Sequence, residues 1–149
     1  MSDSTTADEI IALLDLAPHP EGGWYRQTWA AEGPGRPAGT AIYFLLKDGE
    51  RSHWHRVDAA EIWHFYLGAP LILSIAEIEA GPARDHRLGP DLATGDRPQF
   101  VVPPGHWQAA RTTGAFTLVG CTVSPGFRFE GFELAPPGFD IPGATDPAN

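Results

Sequence analysis

From residue 24 onward the chain is written in short runs of aromatic and β-branched residues, and each run stops at glycine, proline or aspartate. The stops read EGPGRPAG, KDGE, GAP, AGPARD, GPDLATGDRP, PPG, TTG and SPG. Glycine permits positive φ, proline presets φ, and aspartate bonds its local backbone, so each stop is turn chemistry. Between them the sequence predicts strands over 24–29, 40–46, 52–57, 61–66, 71–78, 99–102, 107–111, 116–123 and 127–134. One helix precedes them, over about 6–16: Thr6 and Glu9 form a capping-box pattern, Ile10, Leu13 and Leu14 give an apolar stripe, and Pro18 and Pro20 stop it. The tail, 135–149, is rich in proline and glycine and reads as irregular. The expected fold class is therefore all-β, a sandwich or closed barrel whose interior is lined by alternate residues. No repeat and no linker divides the 149 residues, so a single domain over 1–149 is expected.

Charge narrows the function classes. The formal net charge is -9, Lys47 is the sole lysine, and the arginines are scattered. Displacing counterions from nucleic acid needs clustered cations, so no nucleic-acid partner is expected. An anionic membrane would repel the chain, and no apolar run approaches the ~20 residues that span a bilayer. The first ten residues lack the basic and apolar regions of a signal peptide. The single cysteine, Cys121, makes an internal disulfide impossible and lies in the apolar run FTLVGCTV, where it reads as a core thiol. A cytoplasmic protein with a small-molecule ligand is the expectation.

The stretch with chemical content is RSHWHRVDAAEIWHFYLG, Arg51 to Gly68. Residues two apart share a strand face, which aims His53 and His55 the same way. The next strand puts Glu61, Trp63 and Phe65 on one face and Ile62, His64 and Tyr66 on the other. Two imidazoles with a carboxylate suit zinc, manganese, iron or nickel. They equally suit proton transfer, since imidazole titrates near ~6.5, and they equally suit polar packing.

The order of residues resembles the first motif of the cupin superfamily: Gly49, His53-Trp54-His55, Glu61, Gly68. Pro103-Pro104-Gly105-His106-Trp107-Gln108 is similar to its second motif, with Gln108 where the superfamily usually places its last histidine ligand. The blocks HPEGGWYRQT, HRVDAAEIWHFYLGAPL, LGPDLATGDRPQFVVPPGHWQAA and LVGCTVSPGFRFEGFEL resemble a small, poorly characterised bacterial and fungal family, cupin_5. The resemblance implies a jelly-roll (double-stranded β-helix) barrel with one short N-terminal helix, commonly homodimeric. Ser52, His55, Arg56, Glu61, Trp63 and His64 match that family's pattern; His53 is not a fixed part of it.

These readings give His55 and Glu61 as catalytic candidates. Ligand-binding candidates are Gln108, Trp63, Tyr43, Arg26, Glu21 and His64, with Arg26 able to pair with a substrate carboxylate or phosphate. His53, His55, Glu61 and Gln108 form a candidate site for a divalent transition metal. The function expected is isomerase- or epimerase-like chemistry on a sugar or small polar metabolite inside the barrel. The alternatives are a metal-dependent, dioxygenase-like enzyme and a non-catalytic ligand sensor or carrier.

Overall fold

The structure, a computed structural model, describes residues 5–143. Helix α1 (Ala7–Leu14) starts at the predicted cap: the Thr6 hydroxyl accepts from the Glu9 backbone N–H, and the Glu9 carboxylate accepts from the Thr6 backbone N–H. Eleven strands follow: β1 (Ala17–Pro18), β2 (Trp24–Ala30), β3 (Thr40–Lys47), β4 (Arg51–Val57), β5 (Ala60–Gly68), β6 (Leu71–Ala76), β7 (Arg84–Leu88), β8 (Gln99–Val102), β9 (Trp107–Thr112), β10 (Phe116–Ser124) and β11 (Phe132–Leu134). They form two antiparallel sheets, ordered β1-β2-β3-β10-β5-β8 and β11-β4-β9-β6-β7. This is the expected all-β jelly roll with one short helix. No helix among the described residues is long and apolar enough to cross a membrane.

The core fills the space between the sheets. Phe44, Leu46, Trp63, Leu71, Leu73, Leu88, Val119 and Cys121 are buried there. Strand β3 reads TAIYFLLK because its second half is buried on both faces. Phe44 and Leu46 point inward, while Leu45 points outward beneath Ile10 of α1. Burying each such side chain contributes about 1.5–3 kcal/mol.

Two segments differ from the sequence reading. Residues 84–88, which fall outside every predicted strand, form edge strand β7 against β6. Its alternation is hidden because Arg84, Asp85 and Arg87 are exposed, and only Leu88 is fully buried. Residues 127–131, predicted as strand, instead contain a 3-10 turn (Phe129–Gly131). There Phe127, Phe129 and Phe132 pack ring against ring instead of alternating across a sheet. The tail from Ala135 to Gly143 is irregular, as expected, yet it covers the outer face of the five-stranded sheet. Ala135 and Ile141 pack against Trp54 and Trp107, and Trp54 Nε1–H donates to Asp140 at 2.8 Å.

Candidate functional site

The site begins with a turn. The His19 N–H donates to Gly23 and the Gly22 N–H to His19, closing the segment HPEGG. Gly22 and Gly23 both have positive φ, at 108° and 80°. A Cβ on Gly22 would overlap the Arg51 carbonyl, so only glycine lets this turn lie directly on β4. Contact with β4 fixes Glu21: its carbonyl accepts from the His53 N–H at 2.8 Å, and its carboxyl bonds the Ser52 hydroxyl.

Strand β4 carries the next residue. Its register with β9 shifts between Ser52 and His55, and that irregularity breaks the period of two on which the sequence reading rests. Trp54 is buried outward beneath the tail and His55 inward at the cavity. The extra residue between Ser52 and His55 turns His53 away from the direction of His55. Its Nε2–H donates outward to the Pro136 carbonyl at 2.9 Å, while His55 faces the barrel interior.

The imidazole tautomers follow from their partners. The His53 carbonyl can only accept, so His55 carries its proton on Nδ1, 2.7 Å away. His55 Nε2 is left with a free lone pair, 3.6 Å from Glu21 Oε1. His19 Nδ1 accepts from the Glu21 backbone N–H at 3.1 Å and lies 3.4 Å from the same carboxyl oxygen. Burial makes both imidazoles poor proton acceptors from bulk water. It lowers the His19 pKa to about 4, with the His55 charge adding to the effect, and it lowers that of His55. The opposite holds for the carboxyls. Burial pushes Glu21 up to about 8 despite the Ser52 hydrogen bond. It pushes Glu61 up to about 7, where Glu21 also raises it and His55 and Gln108 oppose.

Glu61 sits on β5, oriented from behind by a buried chain. Trp63 Nε1–H donates to Gln108 Oε1 at 2.7 Å, and Gln108 Nε2–H donates to Glu61 Oε1 at 2.9 Å. Indole is a donor only, so the amide orientation is forced. The Cys121 thiol hydrogen-bonds Glu61, and burial raises its own pKa well above normal, which keeps it a protonated, inert core thiol.

These groups face one cavity of about 220 Å³. Its polar lining is His19, Glu21, His55 and Glu61; Tyr25, Gln27, Thr40 and Ile42 come from β2 and β3, and Phe127 and Phe129 from the segment after β10. Pockets for drug-sized ligands run roughly 300–1,000 Å³, so this one has room for a small molecule only.

Of the residues predicted from sequence, His55, Glu61 and Glu21 meet at the cavity. Gln108 and Trp63 lie behind Glu61, one step removed from it. Tyr43, Arg26 and His64 are not brought there. Arg26 and His64 lie level with Tyr43 and Gly120 in one row across the six-stranded sheet. Arg26 rests over the Tyr43 ring at 5.8 Å, and His64 Nε2 contacts Thr122 Oγ1 at 3.0 Å. The metal quartet is not assembled. His53 points away, and Gln108 spends its only ligand-competent atom on Trp63. Among the described residues no group of three or more His, Cys, Asp or Glu side chains is arranged to hold a metal ion. The sequence reading gives no site role to His19, Tyr25, Phe127 or Phe129, and includes Ser52 only through the family pattern. The HPEGG turn is the available signal for His19, because its paired glycines imply close approach to another strand.

Opposed shifts make folding depend on pH with a definite sign. The unfolded chain releases the Glu21 and Glu61 protons near 4.5, whereas the folded protein holds them to about 8 and 7, so each makes stability fall as pH rises. His19 and His55 act oppositely up to 6.5, because only the unfolded chain takes up their protons just below that value. Above pH 6.5 the carboxyls act alone. Stability is expected to drop by about 2 kcal/mol between pH 6.5 and 8, at about 1.4 kcal/mol per pH unit for Glu21. Urea unfolding across this range checks it, and Glu21→Gln is expected to remove most of the slope.

Comparison with known proteins places the fold in context. The structure is similar to that of SO0799 from Shewanella oneidensis, at 44% identity and TM-score 0.83, with 88% of this chain and 85% of that chain covered. It is similar to a hypothetical protein from Leishmania major at 30% identity and TM-score 0.81, covering 88% of each. An oxalate decarboxylase from Bacillus subtilis, a protein with Mn(II) centres, shares the fold at 15% identity and TM-score 0.62, over 81% of this chain and 30% of that one. Comparison with curated proteins gives no match. The family model described as Cupin superfamily (DUF985) matches residues 8–135. Family match, sheet order and related structures agree, and the chain belongs to the Cupin_5 family of the cupin superfamily.

Proposed function

We propose that this cupin is an isomerase- or epimerase-like enzyme that moves a proton on a small polar metabolite. One observation carries the reading: in a single cavity, an imidazole with its lone pair free faces a carboxyl that keeps its proton at neutral pH. His55 Nε2 is the base that takes a proton from carbon next to a carbonyl. Glu21 is the acid that gives its proton to the carbonyl oxygen, leaving an enol; His55 then returns its proton at the neighbouring carbon while Glu21 takes back the proton of the hydroxyl there, which completes the exchange. Base and acid are in the right forms together because burial shifts them in opposite directions. Gln108 and Trp63 hold the Glu61 carboxyl beside this pair. The oxalate decarboxylase that shares the fold has Mn(II) centres, but among the described residues of this chain no group of three or more His, Cys, Asp or Glu side chains is arranged to hold a metal ion.

Solvent exchange tests the proposal even though the substrate is unidentified. Incubation of the protein in D2O with a panel of small hydroxy- and amino-ketones and aldoses is expected to place deuterium on a carbon next to the carbonyl of at least one, read by mass spectrometry. Ligands that bind in the cavity yet never exchange between pH 5 and 9 would establish a carrier and end the enzyme reading.

A further inference from the structure

We propose that the cavity is built for a small organic cation, a compact polar metabolite bearing a primary ammonium group. The inference rests on the proton-transfer reading of the same cavity and names the class of substrate it takes. Its basis is an imbalance of donors and acceptors. His55 Nε2 presents a lone pair because its Nδ1–H is spent on the His53 carbonyl. Glu21 Oε1 faces the lone-pair side of two imidazoles, at 3.4 and 3.6 Å. Glu61 accepts from Gln108 on Oε1 and from the Cys121 thiol, and its carboxyl lines the same cavity. An ammonium carries three donors and no acceptor, the complement of this wall.

Charge points the same way. The cavity lining, among the described residues, contains no lysine or arginine. Guanidinium groups outside the lining are engaged elsewhere: Arg36 and Arg128 both pair with Asp58, Arg56 pairs with Glu133, and Arg26 rests over the Tyr43 ring. A phosphate or carboxylate entering here would meet two carboxyls with no counter-cation and lose its hydration uncompensated. The lining includes three aromatic rings, Tyr25, Phe127 and Phe129, and aromatic π faces attract cations. A chain with net charge -9 also draws cations toward itself over a distance. One ionised carboxylate suffices: Glu61, pushed up to about 7, ionises before Glu21, pushed up to about 8, which keeps its proton for catalysis. A metal ion is a poorer occupant, because the described His, Cys, Asp and Glu side chains do not converge in groups of three with metal-site geometry.

Matched probes test this with the full chain. Calorimetric titrations compare ethanolammonium with ethylene glycol, glucosamine with glucose and glucose 6-phosphate, and Mn(II) and Zn(II) alone. The ammonium member of each pair is expected to bind at least about tenfold more tightly than its neutral partner. Glu61→Gln is expected to abolish that preference while leaving the weak affinity for the neutral partner. Equal or tighter binding of the alcohol or the phosphate overturns the inference. So does failure of every amine to bind, or a metal that binds alone and excludes the amines. The outcomes separate from those of the exchange assay. A neutral sugar that binds and exchanges deuterium ends the cation inference and leaves proton transfer standing; an ammonium that binds without exchange does the reverse.

Discussion

Trp63→Ala is expected to lower the unfolding free energy by about 3–5 kcal/mol, the range for deleting a large buried aromatic side chain. Trp63 is 1% exposed and lies in the main core, edge-on to Phe44 at 5.8 Å between ring centroids. Truncation removes that packing and also leaves the Gln108 carbonyl oxygen buried without its donor. Against a total stability of about 5–15 kcal/mol for a domain, the variant is close to unfolding at room temperature. Trp63→Phe separates the two effects. It keeps most of the ring volume but removes the indole N–H, so it is expected to cost about 1–3 kcal/mol for the unsatisfied acceptor. It also frees the Gln108 amide to turn its oxygen toward Glu61, which would misorient the carboxyl. Urea midpoints give the stability difference. A Trp63→Phe protein as stable as the parent would mean that the indole–amide–carboxyl chain is not holding Glu61.

That chain shows where the sequence is readable and where it is not. Turn residues and β-branched runs locate β3, β5, β6, β9 and β10 within a few residues, because each is bounded by glycine, proline or aspartate and buries at least one face. His55 and Glu61 are legible from spacing. Parity misplaces His53 for a specific reason: it assumes an unbroken ladder, and the shift between Ser52 and His55 adds a residue that no local residue type announces. Gln108 is legible as a neighbour of Glu61, but its direction is not. Which end of an amide faces a carboxyl depends on the third group, here an indole 45 positions away in sequence. Tyr43, Arg26 and His64 carry functional types, but their strand faces are set by which half of β3 and β5 lies against the other sheet. His19 and Glu21 reach the cavity because Gly22 lets their turn rest on β4 and Gly23 lets it rest on β3.

His55→Asn is expected to reduce deuterium exchange by about 10²–10⁴-fold, the usual loss when a positioned general base is removed. Asparagine is chosen because its amide N–H can still donate to the His53 carbonyl, so β4 retains its local bond while Nε2 disappears. A loss of exchange with an unchanged urea midpoint therefore assigns the effect to the missing lone pair and not to the fold. The pH profile supplies the second arm. In the parent, burial keeps His55 unprotonated below the ordinary imidazole range, so activity is expected to persist on the acid side of pH 6.5. On the alkaline side it is expected to fall above about pH 8, where Glu21 loses its proton. Glu21→Gln cannot donate that proton or lose it, so its residual rate is expected to be lower and free of the alkaline limb. A limb that survives this substitution assigns the acid to another group, and Glu61, pushed up to about 7 in the same cavity, is the next carboxyl with a proton to give.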